Sequence, residues 1–422
     1  MSRNNKRLAG GAATWRQAVK AAPRAGAGRG AMEVDAGGRA GGGGAGAAAA
    51  LAPGHAKWAY LALFLLTSLT SWVLRDHADG MLRGVPVLAE CAGAGSSSAA
   101  AGGCRGKEAV LRLSMATFLF FFVHCVAVAG VKSVDDPRGR VHTGFFLPKT
   151  FLLVGLLVAL FFAPNQVLEG YGQFARAGSA LFLVFQIIVL LDSVYRANER
   201  LLERDSVALA VALAVVLYGV AFAAVGLLFH HFAGGGCSLH TAFIGITLAM
   251  GLSTTLVSVS PYRQSSAGLL TSGVVFLYAL FLCWSAIRSD TEPRGGCRIA
   301  PSDAAEGDVG WVQIVGFLLA LALMAKNVFS LSGRTSDLEA GLEGDSTPYR
   351  YDYFHAVFAA ASMYVAMVFT GWNLEQVEVF GKFELNQGEL SMWIKISSQW
   401  ICFLLYTWTM VAPYLLQDRD FG

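Results

Sequence analysis

A few polar side chains lie inside, or at the ends of, long apolar stretches of this chain. The candidates are Gln186, Asp192, Lys326, Asn327 and His355. If these stretches cross a lipid bilayer, a charged or amide group at that depth is costly and is a default candidate for function. Brought together from several helices, such side chains would form a polar seam along which a charged group could pass through hydrocarbon.

Each candidate also has a structural interpretation, and the sequence leaves both open. Asp192 can act as an interfacial cap beside Arg196, four residues later. Lys326 can extend its ammonium group to the lipid headgroups. His355, like His124 in an earlier apolar stretch, can be a packed or interfacial histidine rather than a proton carrier.

Other patterns that carry chemistry are absent or weak. The sequence contains no P-loop, no Gly-x-Ser-x-Gly, no His-Glu-x-x-His and no dinucleotide fingerprint. Cys237 and His240 have the spacing of a zinc pair, but a disulfide suits Cys237 better in an oxidising compartment. We therefore expect no enzyme active site, no metal and no cofactor.

The composition indicates a membrane protein. Of the 422 residues, 55% are hydrophobic and only 14% are charged, whereas soluble proteins carry about 25% charged residues. The net charge of +3 is too small to indicate nucleic acid as a partner. A helix that crosses a bilayer needs about 20 mainly apolar residues. Ten stretches meet or approach that length: 56–74, 113–131, 145–163, 177–195, 207–229, 239–259, 268–287, 309–330, 354–372 and 396–416.

The fold class is therefore an all-α polytopic membrane protein with ten transmembrane helices. Residues 56–416 form the membrane domain. Residues 1–55 are rich in Gly, Ala and Arg and are expected to be disordered, because this composition cannot bury enough apolar surface. Residues 417–422 form a short C-terminus. Basic residues concentrate in the N-terminal tail and after the even-numbered spans, so both termini are expected in the cytosol.

The cysteines give a second, independent indication of sidedness. Four of them fall on connections that the charge distribution places outside the cytosol: Cys91, Cys104, Cys237 and Cys297. An oxidising lumen or exterior permits disulfides there. Four cysteines allow three pairings, and the sequence does not choose among them. The remaining three cysteines lie inside spans, where a thiol is usually a packing group.

The last third of the chain resembles the serine incorporator family, also called the TMS membrane proteins. The resemblance rests on residues 351–355 (Tyr-Asp-Tyr-Phe-His), 361–364 (Ala-Ser-Met-Tyr) and 370–373 (Thr-Gly-Trp-Asn). It continues through residues 393–400, 406–413 and 419–421. The likeness covers spans four to ten well and the first hundred residues poorly. A denser N-terminal cysteine cluster, found in many family members, is missing here.

The resemblance implies a ten-helix fold in which two helix bundles flank long, tilted helices. It also implies a link to phosphatidylserine and sphingolipid supply. Two functional hypotheses of different classes follow. The first is a scramblase-like protein that moves phospholipids between leaflets, with Asp192, Lys326 and His355 lining or gating the seam. The alternative is a non-catalytic scaffold that delivers serine to the enzymes of phosphatidylserine and sphingolipid synthesis, in which the acidic segment 331–353 would matter more.

The expected partners follow from these two hypotheses. They are membrane phospholipids and, for the scaffold, serine-using lipid-synthesis enzymes; a homo-oligomer stays open. The expected location is the endomembrane system, that is the endoplasmic reticulum, Golgi or endosomes, or the plasma membrane.

Overall fold

The structure, a computed structural model, describes residues 53–290 and 347–415, except residues 83, 86–87, 89–97, 134, 205, 234–235, 262–266, 348, 373 and 375–387. In this part of the chain it is all-helical, without a strand. The ten helices are α1 (Pro53–Met81), α2 (Ser98–Ala127), α3 (Gly139–Thr143), α4 (Phe146–Leu160), α5 (Asn165–Glu203), α6 (Val207–Phe232), α7 (Ser238–Val259), α8 (Leu269–Ile287), α9 (Tyr351–Thr370) and α10 (Glu389–Leu415). Residues 1–52 of the tail, the eighth expected span at 309–330 and residues 417–422 lie outside the described residues.

A helix lies over every expected span that falls within the described residues, but the bounds differ. Seven of these helices are long and apolar enough to cross a membrane, by length and composition: α1, α2, α5, α6, α7, α8 and α9. The shorter α4 has 15 residues. In α10, Glu389, Lys395 and Gln399 interrupt the apolar sequence. The structure thus establishes an all-helical chain with seven candidate membrane-crossing helices in its described part.

The described helices pack around two separate hydrophobic clusters. The first cluster lies among α1, α2, α4 and α9, where Phe120, Phe354 and Phe358 are completely or almost completely buried. The second cluster lies among α6, α7, α8 and α10 and includes buried Phe276 and Phe403. Interlocked aromatic rings are prominent in the first cluster, where each large ring buries much apolar surface, whereas aliphatic side chains make up most of the second.

The long helix α5 joins the two clusters. Leu168 and Phe182 in its first part pack into the first cluster, whereas Ile187 and Leu191 in its later part pack into the second. With 39 residues it is roughly 58 Å long, about twice the thickness of a bilayer core. Sequence analysis predicted only its apolar part, residues 177–195, because the first turns carry Glu169 and Arg176.

Three cations bind main-chain carbonyl groups at the end of the first cluster where α9 ends. Arg112 on α2 donates to Ala163 O (3.3 Å) and also pairs with Glu108 (2.6 Å). Arg176 on α5 donates to Trp372 O (2.9 Å), and Lys107 donates to Leu374 O. All three acceptors lie just beyond a helix end, in connections whose carbonyl groups have no helical hydrogen bonds. The backbone turns at Gly371 (φ 62°), where the left-handed conformation suits glycine.

The outward faces of the described helices are strongly apolar. On α4, Leu147 and Phe151 are 67% and 68% exposed, and on α6 Val215 and Val216 are similarly exposed. A soluble monomer rarely leaves apolar patches of this extent uncovered. These faces therefore suit contact with lipid.

Glycine often marks a close contact between membrane helices, and α7 contains two glycines, Gly245 and Gly251. The structure confirms this only for Gly251, where an added Cβ would lie 2.3 Å from the Phe276 ring of α8. At Gly245 no atom of the described residues lies within 4 Å of that position.

We expect Gly251→Ala to lower the free energy of unfolding by about 1–3 kcal/mol, because the methyl group overlaps the Phe276 ring. Gly245→Ala is the matched control on the same helix and should leave stability unchanged or raise it by up to about 1 kcal/mol. Thermal unfolding of the purified protein measures both. Equal destabilisation by the two changes would contradict the close α7–α8 contact.

Candidate functional site

Of the polar residues that the sequence grouped in one seam, the structure describes Gln186, Asp192 and His355. Asp192 on α5 pairs with Arg196 one turn later, and their side chains are 14% and 39% exposed. Six residues before Asp192, the carboxamide oxygen of Gln186 is buried and has no hydrogen-bond partner within the described residues. His355 is completely buried in the first cluster instead. In the described part of the chain no hydrogen bond or ion pair joins Asp192 to His355.

Lys326 and Asn327, the other two candidates, lie outside the described residues. Of the four candidate disulfide cysteines, Cys104 and Cys237 are disulfide-bonded. Cys91 and Cys297 lie outside the described residues, so the pairing stays open. The span cysteines Cys125, Cys283 and Cys402 are free thiols. Within the described residues no group of His, Cys, Asp and Glu side chains could hold a metal ion.

His355 belongs to a buried group of polar side chains that we call the histidine cluster. Its members come from five helices and one connection, and all are at most 6% exposed: Tyr60, His124, His142, Lys149, Tyr349 and His355. They meet because α1 and α9 begin, and α2 ends, at the same end of the first cluster. The short helix α3 and the first turn of α4 close that end from the connection between α2 and α4.

A chain of hydrogen bonds runs through the cluster. The Tyr349 hydroxyl lies 2.8 Å from His142 Nε2, and His142 Nδ1 lies 3.0 Å from His355 Nε2. His355 Nδ1 is buried and has no hydrogen-bond partner among the described residues. Burial, together with nearby Lys149 and His124, lowers the pKa of His142 to about 3. Burial also raises the pKa of Tyr349.

When both histidines are neutral, the hydrogen bonds of this chain have one preferred direction of donation. A neutral imidazole carries one N–H, so only one of its two nitrogens donates. If His355 Nε2 donates to His142, and His142 Nε2 donates to Tyr349, the nitrogen left over at His355 Nδ1 is an acceptor. The opposite direction would leave a buried N–H without an acceptor, which native structures rarely tolerate. We therefore assign the proton of His355 to Nε2, from the network of bonds rather than from observed hydrogens.

Lys149 places its buried side-chain nitrogen next to this chain of bonds. Its ammonium group donates to the Tyr60 hydroxyl (2.7 Å) and to His142 O (3.2 Å), and it lies 4.5 Å from the centre of the Phe146 ring. Tyr60 in turn donates to His142 O (3.1 Å). In the described part of the chain no carboxylate pairs with Lys149. The side chain of Lys149 points inward, where a hydroxyl, a carbonyl and aromatic faces replace water.

Sequence reasoning selected His355 but missed most of its partners. Tyr60 near the start of one span, His124 near the end of the next and His355 at the start of another all fall at the same depth, and that agreement was a usable signal. His142 and Tyr349 lie in connections between spans, where a polar residue is ordinary. No sequence pattern distinguishes them from exposed residues.

We expect the Tyr60–Lys149 bond to give a non-additive double-mutant cycle. Tyr60→Phe leaves the buried ammonium with one partner fewer and should lower the free energy of unfolding by about 2 kcal/mol. Lys149→Met replaces the charge with an apolar chain of similar length and should cost less than about 1 kcal/mol. In the double variant, Tyr60→Phe should cost at least about 1 kcal/mol less than it does alone. Additive changes in thermal or denaturant unfolding would mean that the two groups do not interact.

The low pKa of His142 makes stability dependent on acid. Below pH 6.5, the ordinary histidine value, the unfolded chain binds a proton at this position, whereas the folded chain stays neutral down to about pH 3. The contribution is therefore complete above pH 6.5 and is lost as the pH falls towards 3, at roughly 1.4 kcal/mol per pH unit.

Measured unfolding between pH 7 and pH 4 checks this expectation. His142→Phe should reduce the slope of stability against pH by about one proton. The same substitution at exposed His231 on α6 is the control. An unchanged slope of stability against pH in His142→Phe would contradict the low pKa of His142 in the folded chain.

Comparison with known proteins covers almost the whole described part of the chain. The family model for "Serine incorporator (Serinc)" matches residues 52–341 and 326–419. A probable serine incorporator of Monosiga brevicollis is 27% identical over 444 aligned residues, which cover 86% of this chain and 90% of that protein. Serine incorporator 3 of Mus musculus is 27% identical, over 75% of this chain and 80% of its own length. Serine incorporator 2 of Homo sapiens is 28% identical, over 76% and 81%. Because the family model matches well over half of its residues, the chain belongs to the serine incorporator family.

Proposed function

We propose that this chain moves phospholipids between the two leaflets of a membrane, as a scramblase does, and is thereby linked to phosphatidylserine and sphingolipid supply. It crosses the membrane ten times in this proposal, with both termini in the cytosol of an endomembrane or plasma-membrane system. It acts as a passive path and not as an enzyme. No nucleotide site is needed, because lipid runs down its own gradient.

The observation that carries the proposal is the Asp192–Arg196 ion pair on α5. Both side chains are partly exposed on a helix whose neighbouring outward residues, such as Phe185 and Ile188, are exposed and apolar. A zwitterionic headgroup carries a phosphate, which a guanidinium binds well, and an amine, which a carboxylate binds. An exposed pair of opposite charges can therefore replace part of the headgroup's water.

The position of this pair supports the proposal further. It lies in the part of α5 that follows the change from the first cluster to the second, where two separately packed groups of helices adjoin. The length of α5, roughly twice a bilayer core, requires it to be tilted if it lies within the membrane. A headgroup could follow such a helix across the membrane while its acyl chains stay in lipid. The buried Gln186 oxygen, one and a half turns earlier, would extend the polar path.

Purified protein in liposomes with a fluorescent lipid tests the proposal. Dithionite bleaches outer-leaflet label only, so scrambling lowers the protected fraction from about half towards zero. Asp192→Ala should slow this loss about tenfold, the effect expected when a charge-assisted hydrogen bond is removed. Asp136→Ala is the matched control, because Asp136 also pairs with an arginine, Arg138 (2.9 Å), but in an exposed connection. Equal protection in liposomes with and without protein would overturn the proposal.

The scaffold hypothesis makes the opposite expectation for the same variant. A protein that only brings serine to lipid-synthesis enzymes would keep its partners in Asp192→Ala, since Asp192 lies on α5 rather than in segment 331–353. The relatives' name, serine incorporator, fits either role. The partly exposed Asp192–Arg196 ion pair favours lipid movement, because the scaffold hypothesis assigns no role to it.

A further inference from the structure

A small cavity lies inside the first cluster, away from the histidine cluster and from the α5 ion pair. It measures about 10 Å³, enough for one water-sized particle. One face of each of three helices lines it: residues 64, 67, 68 and 71 of α1, residues 110, 114 and 117 of α2, and residues 362, 365 and 366 of α9. All of these residues are buried.

Six of the lining side chains carry a hydroxyl group: Thr67, Ser68, Ser71, Ser114, Thr117 and Ser362. The other lining residues are apolar, and no charged side chain is present. So many hydroxyl groups around so small a space are unusual in a cluster otherwise built from aromatic and aliphatic side chains. The six hydroxyl groups also share the kind of acceptor to which they donate their protons.

Each of the six hydroxyl groups donates its single proton to a main-chain carbonyl. On α1, Thr67 and Ser68 donate to Phe64 O (2.9 and 2.8 Å) and Ser71 donates to Thr67 O (2.9 Å). On α2, Thr117 donates to Leu113 O (2.8 Å). A hydroxyl group has one proton and two acceptor lone pairs. After this donation it can offer only lone pairs to the cavity.

The remaining two hydroxyl groups follow the same rule across a helix contact. Ser362 on α9 donates to Ala359 O (2.7 Å), and Ser114 on α2 donates to Ser362 O (2.9 Å). The Tyr171 hydroxyl lies 2.7 Å from Ser114 Oγ and must therefore be the donor in that pair. The polar lining of the cavity is consequently made of acceptors alone.

We propose that this cavity binds one dehydrated monovalent cation, with Na⁺ as the probe. An anion would meet no donor, and a water molecule could donate twice but would find no donor for its own lone pairs. A cation needs only oxygen lone pairs, and the six hydroxyl oxygens provide them. The lining carries no negative charge, so a divalent ion is excluded, because the cost of removing its water rises with the square of the charge.

Thermal unfolding of the purified full chain tests this in NaCl, KCl and N-methyl-D-glucamine chloride at equal ionic strength. An alkali cation that binds the folded state raises Tm by on the order of 2 °C for each tenfold increase in its concentration above its Kd. Thr67→Val removes one oxygen and keeps the shape of the side chain. It should weaken cation binding about tenfold, as measured by binding of radioactive Na⁺.

Thr70→Val is the matched control. Thr70 is on the same helix and makes the same kind of bond, to Leu66 O (2.8 Å), but it is exposed and does not line the cavity. Its response to the cation should equal that of the unmodified chain. Thr117→Val repeats the test from α2 should Thr67→Val fail to fold.

The result that overturns the proposal is a wild-type Tm indifferent to both alkali cations, which would mean that the cavity holds water only. A cation response equally strong in Thr67→Val, Thr117→Val and Thr70→Val would also overturn it. Cation binding is measured without any assay of lipid movement. Failure of the cation proposal therefore leaves the proposed function intact, and failure of the proposed function leaves the cation proposal intact.

Discussion

A polar group among apolar helices has to find its hydrogen bonds inside the protein, since neither lipid tails nor packed side chains supply any. This constraint shapes most of the polar contacts described here. The serine and threonine hydroxyl groups of α1, and that of Thr117 on α2, donate back to their own helices. Arg112 finds a carboxylate, an amide oxygen and a carbonyl. Lys149 finds a phenol and a carbonyl. Some buried atoms have no hydrogen-bond partner among the described residues, among them Arg112 Nε, Gln399 Oε1, Gln186 Oε1 and His355 Nδ1; at such positions a functional reason is worth seeking.

The same constraint explains why the two hydrophobic clusters differ in their connections to α5. Helices α2 and α9 contact the first part of α5 through apolar residues such as Tyr171 and Phe182, together with Arg176 at their end. Beyond Ile187 the helix passes to the second cluster and presents Asp192 to its partly exposed side. The Asp192–Arg196 pair is tolerated in the region where the clusters adjoin, because it is only partly enclosed there.

Sequence alone predicted the elements well, since a run of about 20 apolar residues can only be a helix in lipid. The bounds were less predictable. Helix α5 extends 12 residues before the expected start because its polar first part, around Glu169, carries no hydropathy signal. The site was predictable only in part. His355 stands out in an apolar span. Tyr349 and His142 become its partners only when the connections fold over the helix ends, and the sequence does not indicate which connection covers which end. Gly245 and Gly251 make the same point, because the face that each presents depends on where α8 packs.

Helix α9 is held at both of its ends by different neighbours. Its beginning is tied through His355 to α3, and the chain just beyond its end is tied through Trp372 O and Leu374 O to α5 and α2. Sliding this helix along its axis by one turn would break bonds at both ends at once and gain none in return. We therefore expect α9 to stay in place. A rearrangement that opens a route through the molecule should instead involve the helices on the other side of α5. Among the described residues, no hydrogen bonds of this kind tie the second group of helices to α9, so we expect that group to move more easily.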